Sequence, residues 1–176
     1  MVKQTGNLGH RLSSEAEKRM HRCCFTGHRP EKLKIDEETA RVLLRQGIQT
    51  AYAAGYTTFI SGMARGIDLW AADIVLEERQ LHPDIHLICA VPHPDFEKRW
   101  NATAQQLYST ILQKADLTRI ICPAFSMGAY QKRNIWMVDH SSLVLAYYNG
   151  DTGGTANTIA YAKSRGIRVQ LLNEEQ

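Results

Sequence analysis

Short runs of consecutive apolar residues alternate along the chain with longer stretches whose apolar positions recur every three or four residues. That rhythm belongs to strands alternating with helices around a mainly parallel sheet. The apolar runs predict strands at Arg22–Thr26, Thr57–Ser61, Ile85–Val91, Leu117–Cys122, Ser142–Tyr147 and Arg168–Leu172. Several are apolar almost throughout, as strands covered on both faces should be. Helices are predicted between them. The first starts at Asp36, whose carboxylate can accept from the free amides of the first turn, carries Leu44, Ile48, Ala51 and Tyr52 at helical spacing, and ends at Gly55. Similar patterning predicts helices over Ile67–Arg79, Glu97–Ala115, Tyr130–His140 and Gly154–Ser164. There is no internal repeat and no low-complexity segment. The expectation is an α/β, Rossmann-like open sheet, mainly parallel, with helices on both faces of a single domain.

Composition narrows the class. With 176 residues, 44% hydrophobic and 22% charged, the chain suits one globular domain with a full core. No apolar run approaches the roughly 18 residues of a bilayer span, and the opening MVKQTGNLGHRLSSEAEKRM has no apolar leader core, so a cytoplasmic location without membrane contact is expected. The four cysteines, Cys23, Cys24, Cys89 and Cys122, lie in or beside apolar runs without zinc-like spacing, and the seven histidines are scattered. They read as buried small hydrophobes rather than ligands, and neither a metal nor a cofactor is expected.

Charge is uneven. Residues 1–34 carry eight Lys/Arg against three Asp/Glu, leaving 13 against 15 for the remainder. A polar, flexible N-terminal extension is expected over residues 1–20, followed by the domain over 21–176. The basic arm could touch nucleic acid or simply be solvated, and the body itself is not a basic surface.

Candidate chemistry collects where strands hand over to helices, the edge at which open α/β sheets bind ligands. In "FISGMARGIDLW", Gly62 and Gly66 let backbone approach a ligand, Ser61 offers a hydroxyl, Arg65 a positive charge, and the helix start a set of free amides. A phosphate suits such a turn. The same spacing also fits a tight strand-to-helix connection in which Asp68 favours the helix N-terminus. Gly27, His28, Arg29 and Pro30 follow the first strand, and "YNGDTGGTANT" follows the fifth, where Gly153, Gly154 and Thr155 can open a helix as a second anion-accepting cluster. In "YQKRNIWMVDHSS", Arg133 and Asn134 fall in the first turns of a helix. A cation there is electrostatically awkward, so a bound anion would account for Arg133. Neither G-x-x-x-x-G-K-[ST] nor G-x-G-x-x-G after the first strand is present, which disfavours a generic ATPase or dehydrogenase.

The ordered motifs C-F-T-G-H-R-P, S-G-M-A-R-G-I-D, P-H-P-D-F-E-K-R-W, K-R-N-I-W-M-V-D and G-G-T-A-N-T resemble the YpsA-like proteins of the SLOG superfamily, the Rossmann-like group that also contains DprA and the LOG phosphoribohydrolases. The resemblance runs from about Cys23 to Leu172. It implies that Ser61, Gly62, Arg65, Gly66 and Asp68 form a phosphate-side turn, that Arg133 and Asn134 match an R-N pair, and that Gly154 and Thr155 match a second glycine turn. It also implies that Trp100 covers a ligand base or packs. LOG enzymes place a catalytic glutamate just after their glycine turn, whereas this chain continues Thr155, Ala156, Asn157, Thr158, so that Asp68 or Asp139 would have to substitute for it. DprA binds single-stranded DNA across a basic groove, which a slightly acidic body does not suggest. The expected function is therefore binding of a nucleotide-like phosphate ligand, as a sensor or regulatory module. A glycosidic-bond hydrolase is the first alternative and a single-strand nucleic-acid binder the second, with homo-oligomers possible.

Overall fold

The computed structural model describes residues 13–174. Six parallel strands form one open sheet in the order β4-β3-β2-β1-β5-β6, with β1 Arg22–Thr26, β2 Thr58–Ser61, β3 His86–Val91, β4 Leu117–Ile120, β5 Leu143–Ala146 and β6 Arg168–Leu171. The helices among the described residues are α1 Glu15–Met20, α2 Glu37–Ala53, α3 Ile67–Leu81, α4 Ala102–Lys114, α5 Ala129–Asp139 and α6 Gly154–Ser164, with a 3-10 turn over Pro30–Lys32. The expected α/β architecture is thus the observed one.

Alternation along the strands distributes side chains to two cores. Cys23, Phe25, Phe59, Leu87 and Leu145 pack with Leu44 and Ile48 of α2, Ile74 of α3 and Ile111 of α4. Their neighbours Cys24, Ile60, Ile88 and Val144 point the other way, onto Met137 and Val138 of α5 and Ile159 and Ala162 of α6. All four cysteines are buried and free. Strand order reverses between β1 and β5, because β1 to β4 run outward on one side and β5 and β6 on the other. The connections leaving β1 and β5 diverge to opposite faces there, opening a crevice at the carboxyl edge.

Sequence and structure part company at three places. The fourth helix begins at Ala102, not Glu97: Asn101 accepts the Ala104 amide at 2.9 Å, and the residues before it form turns with Asp95 at φ 61°. Strand β4 is shorter than predicted and exposed along its whole length, because as the sheet edge it has one neighbour and incomplete helix cover. Within the expected N-terminal extension, Glu15–Met20 is helical, closed by a reciprocal Ser14/Glu17 capping box and tied to the domain by Arg19 Nε donating to Ser141 O at 3.0 Å. Residues 1–12 of that extension lie outside the described residues. Among the described residues no helix is long and apolar enough to cross a membrane.

Candidate functional site

The β2–α3 turn is closed on itself. Ser61 is fully buried, its hydroxyl donating to Asp68 O at 2.7 Å and accepting from Met63 N at 3.0 Å, so both capacities are used inside the turn. Gly66, at φ 88°, caps α3, and a Cβ there would lie 2.6 Å from His28 O. The Ile67 amide donates to that same carbonyl at 3.4 Å, and the Leu69 amide to Ala64 O at 3.0 Å. The start of α3 therefore packs against the β1 loop instead of facing solvent. Gly27 belongs to this contact, since any Cβ on it would meet the Ile67 side chain at 2.5 Å.

Beneath Gly62 lies a buried charged group. Arg133, 5% exposed, donates through Nη1 to Gly62 O and through Nε to Asn134 Oδ1 at 2.8 Å, and its guanidinium sits 6.0 Å above the Phe96 ring. Asp68, 6% exposed, is the nearby countercharge, with Oδ1 lacking any partner. Burial pushes its carboxyl up to about 6, against the opposing pull of the Arg133 guanidinium and the Ala64 amide. Burial likewise pulls Arg133 down, opposed first by Asp68. An ideal Cβ on Gly62 would stand 2.8 Å from both Arg133 Nη1 and Asp68 Oδ2. The expectation is that Arg133 calls for a bound anion; within the protein its guanidinium already donates to Gly62 O and Asn134 Oδ1, and the Asp68 carboxyl is close enough to act on its charge.

The β1 and β5 loops are joined across the switch point. His28, 6% exposed, accepts the Asn149 amide through Nε2 at 3.4 Å and stacks on Tyr148 at 6.1 Å between centroids. Burial lowers its pKa, which suits the neutral acceptor form. Asn149 Nδ2 donates to Lys32 O at 2.8 Å. Arg65 pairs with Glu31 at 2.6 Å, tying the 3-10 turn to the β2–α3 turn. Arg29 is exposed, makes no ion pair among the described residues, and is close enough for its charge to lower the pKa of Arg133.

The β5–α6 turn is open. Gly150 and Gly153 have φ of 90° and 135°, which only glycine adopts without strain. Gly153 caps α6 with no side-chain hydrogen bond, and the first turn of the helix contains no acidic residue. An ideal Cβ on Gly153 would touch nothing, and one on Gly154 only Asn134 Nδ2 at 4.0 Å. Residues 151–154 are exposed, while Thr155 is buried. Since Arg133 occupies Asn134 Oδ1, the carboxamide presents its amino end beside the α6 amides. The arrangement can accept an anion by backbone and carboxamide donors.

The predicted residues thus fall into an inner group, Ser61, Gly62, Gly66, Asp68 and Arg133, and a rim of Arg29, Asn134, Gly153, Gly154 and Thr155, with His28, Gly27 and Arg65 as struts. Trp100 packs edge-on against Phe96 and Tyr108 at 5.1 and 5.4 Å. Asp139 is the last residue of α5, at the opposite edge of the sheet, bonded by the Tyr161 hydroxyl at 2.9 Å. Sequence reasoning missed the aromatic group of His93, Phe125 and Tyr130, whose members come from three separate segments. Only P-H-P-D-F gave a signal, and that by resemblance.

Fold and site together define a Rossmann-like domain with a glycine-turn helix N-terminus at its switch point. A family model named YpsA, described as the YspA SLOG family, matches residues 23–172, and the chain belongs to that family. The SPbeta prophage-derived protein YoqJ of Bacillus subtilis (strain 168) is 34% identical over 125 residues, 64% of this chain and 73% of that protein. A UPF0398 protein of Halalkalibacterium halodurans is 28% identical over 139 residues, 74% of each chain. A UPF0398 protein of Staphylococcus epidermidis is 36% identical over 88 residues, where the match spans 49% of this chain and 47% of that one. Among solved structures, DNA processing protein A from Helicobacter pylori, described by its single-stranded DNA binding mode, superimposes with a TM-score of 0.58 at 17% identity, covering 92% of this chain and 71% of that one. At that identity the likeness is one of fold.

Proposed function

We propose that the protein binds a nucleotide or nucleotide-derived phosphate ligand in the crevice between β1 and β5, acting in the cytoplasm as a sensor or regulatory module. One observation carries this reading: the N-terminus of α6 is exposed, uncapped by any side chain and free of acidic residues, with Asn134 beside Gly154. Such an end attracts anions by its unpaired amides and its dipole. Arg29, exposed and without an ion pair among the described residues, supplies a cation on the same rim. Hydrolysis is the weaker reading. Of the two carboxylates considered as replacements for the missing glutamate, Asp68 is buried beneath Gly62 and Asp139 lies at the far edge. Thr158, in the first turns of α6, instead donates to Gly154 O at 2.8 Å.

Titration calorimetry with pyrophosphate and ADP tests the proposal, using Gly154→Glu as the control. The new carboxylate meets no steric obstacle and suits the helix end, yet occupies the anion position. Binding by the wild type and a loss of at least about tenfold in a folded Gly154→Glu protein are expected, tenfold being about 1.4 kcal/mol. Equal affinity in the two proteins would remove the α6 site. The fold shared with the single-stranded DNA-binding protein motivates a second arm: DNA affinity that falls steeply with salt would favour the nucleic-acid reading.

A further inference from the structure

A second polar feature lies along the same rim, at the ends of β3 and β4. His93 follows β3 and is 7% exposed. Its Nδ1 stands 2.7 Å from Pro94 O, a carbonyl that can only accept, so Nδ1 carries a proton and, in the neutral ring, Nε2 presents a lone pair. That Nε2 is enclosed and has no hydrogen-bond partner. A buried acceptor left unpaired is costly and calls for an explanation.

Three rings stand edge-on around the imidazole: Phe125 at 5.3 Å, Phe96 at 5.7 Å and Tyr130 at 5.9 Å between centroids. Phe96 and Tyr130 are partly buried. Phe125 is 62% exposed, the only exposed Phe, Tyr or Trp among the described residues, and sits in the β4–α5 loop beside Met127, which is 92% exposed. It is the wall that can yield. The group is continuous with the anion site, because Phe96 lies under the Arg133 guanidinium and Arg133 holds the Asn134 carboxamide that borders Gly154.

We propose that this group is the base end of the site described above: Phe125 turns aside and stacks on the base, and His93 Nε2 accepts a hydrogen bond from the base's exocyclic amino group. The site then takes amino-bearing bases in preference to their oxo counterparts. From β5 to β3 is three strand spacings, about 14 Å at the usual ~4.8 Å each, a span that calls for a nucleoside diphosphate rather than a compact monophosphate. Aromatic faces stack on any base, so the preference rests on His93 and the affinity on Phe125.

This inference rests on the phosphate-binding reading, and base-free pyrophosphate separates the two. Calorimetry with wild-type protein should give tighter binding of ADP than IDP, and of CDP than UDP, by roughly tenfold, as one hydrogen bond to a buried acceptor provides. His93→Phe should erase both differences and leave pyrophosphate binding unchanged. Phe125→Ala should weaken ADP and IDP alike. On the intact protein, nitrogen-15 NMR of the imidazole should show Nε2 shifting with ADP and not with IDP, a readout that does not depend on the variants folding. Equal binding of ADP and IDP by the wild type, a preference that survives in His93→Phe, or an Nε2 resonance indifferent to ADP would each overturn the base assignment while pyrophosphate binding stood. Failure of pyrophosphate and every nucleotide to bind would bring down the phosphate reading, and this inference with it.

Discussion

The chain has two glycine turns of similar composition, each joining a strand of the parallel sheet to a helix at the same edge. Ser61–Gly66 is sealed: its hydroxyl bonds inward, its helix start packs on His28, and a buried arginine and aspartate lie under Gly62. Gly153–Thr155 is open, with no side-chain cap and almost no neighbour within reach of its glycines. A glycine required because something touches it is structural. A glycine with free space around it leaves room for a ligand.

Substitution at Gly62 should break the comparison most visibly. Gly62→Val would force apart Arg133 and Asp68, each 2.8 Å from the new Cβ, and should cost about 4 kcal/mol in denaturant unfolding, comparable to disrupting a buried charged group. A folded Gly62→Val protein that lost only ligand affinity would return this turn to the ligand site.

The Asp68 carboxyl offers the next largest effect. With its folded pKa near 6 and its unfolded value near the ordinary 3.9, the native state holds the proton more tightly between those limits. Stability contributed by protonated Asp68 is complete below about pH 3.9 and is lost as pH rises through 6, about 3 kcal/mol in all. Subtracting the stability profile of Asp68→Asn from that of the wild type should reveal this fall. Parallel profiles would show an unperturbed carboxyl.

Arg133→Met should follow, at about 2 kcal/mol, because Gly62 O loses its donor and Asp68 its cation. The loss should shrink as the pH drops and Asp68 protonates. Thermal melts at two pH values check both parts. Smallest is Gly154→Glu, whose stability should stay within about 1 kcal/mol of wild type, on the stabilising side, as an acidic group at an open helix start should. A large destabilisation would mean the open turn is as constrained as the closed one.

Much of this was legible in the residues themselves. Periodicity located the strands, Asp36 and Gly55 marked the limits of α2, and the handovers from strand to helix all fall, as expected, on one edge of the sheet. The helix expected from Glu97 starts only at Ala102, because Asn101 caps it and the residues before it, Trp100 among them, turn to pack on the aromatic group. The run Leu117–Cys122 announced a strand, but its place at the sheet edge depends on strand order, which local pattern does not encode. Arg133 looked like a cation at an unfavourable helix end because its counterpart, Asp68, is 65 positions away in sequence.

By itself, then, the sequence determined the alternation of elements, the parallel sheet and the identity of the turns, since these depend on local periodicity and on glycine's freedom of backbone. Which turn is open was decided only by tertiary structure. The Ile67 amide finds His28 O because β1 lies next to β2, and the α6 amides find nothing because the chain order reverses between β1 and β5. Occupancy of a helix end is a property of its neighbours in space, and those neighbours come from segments that strand order alone brings together.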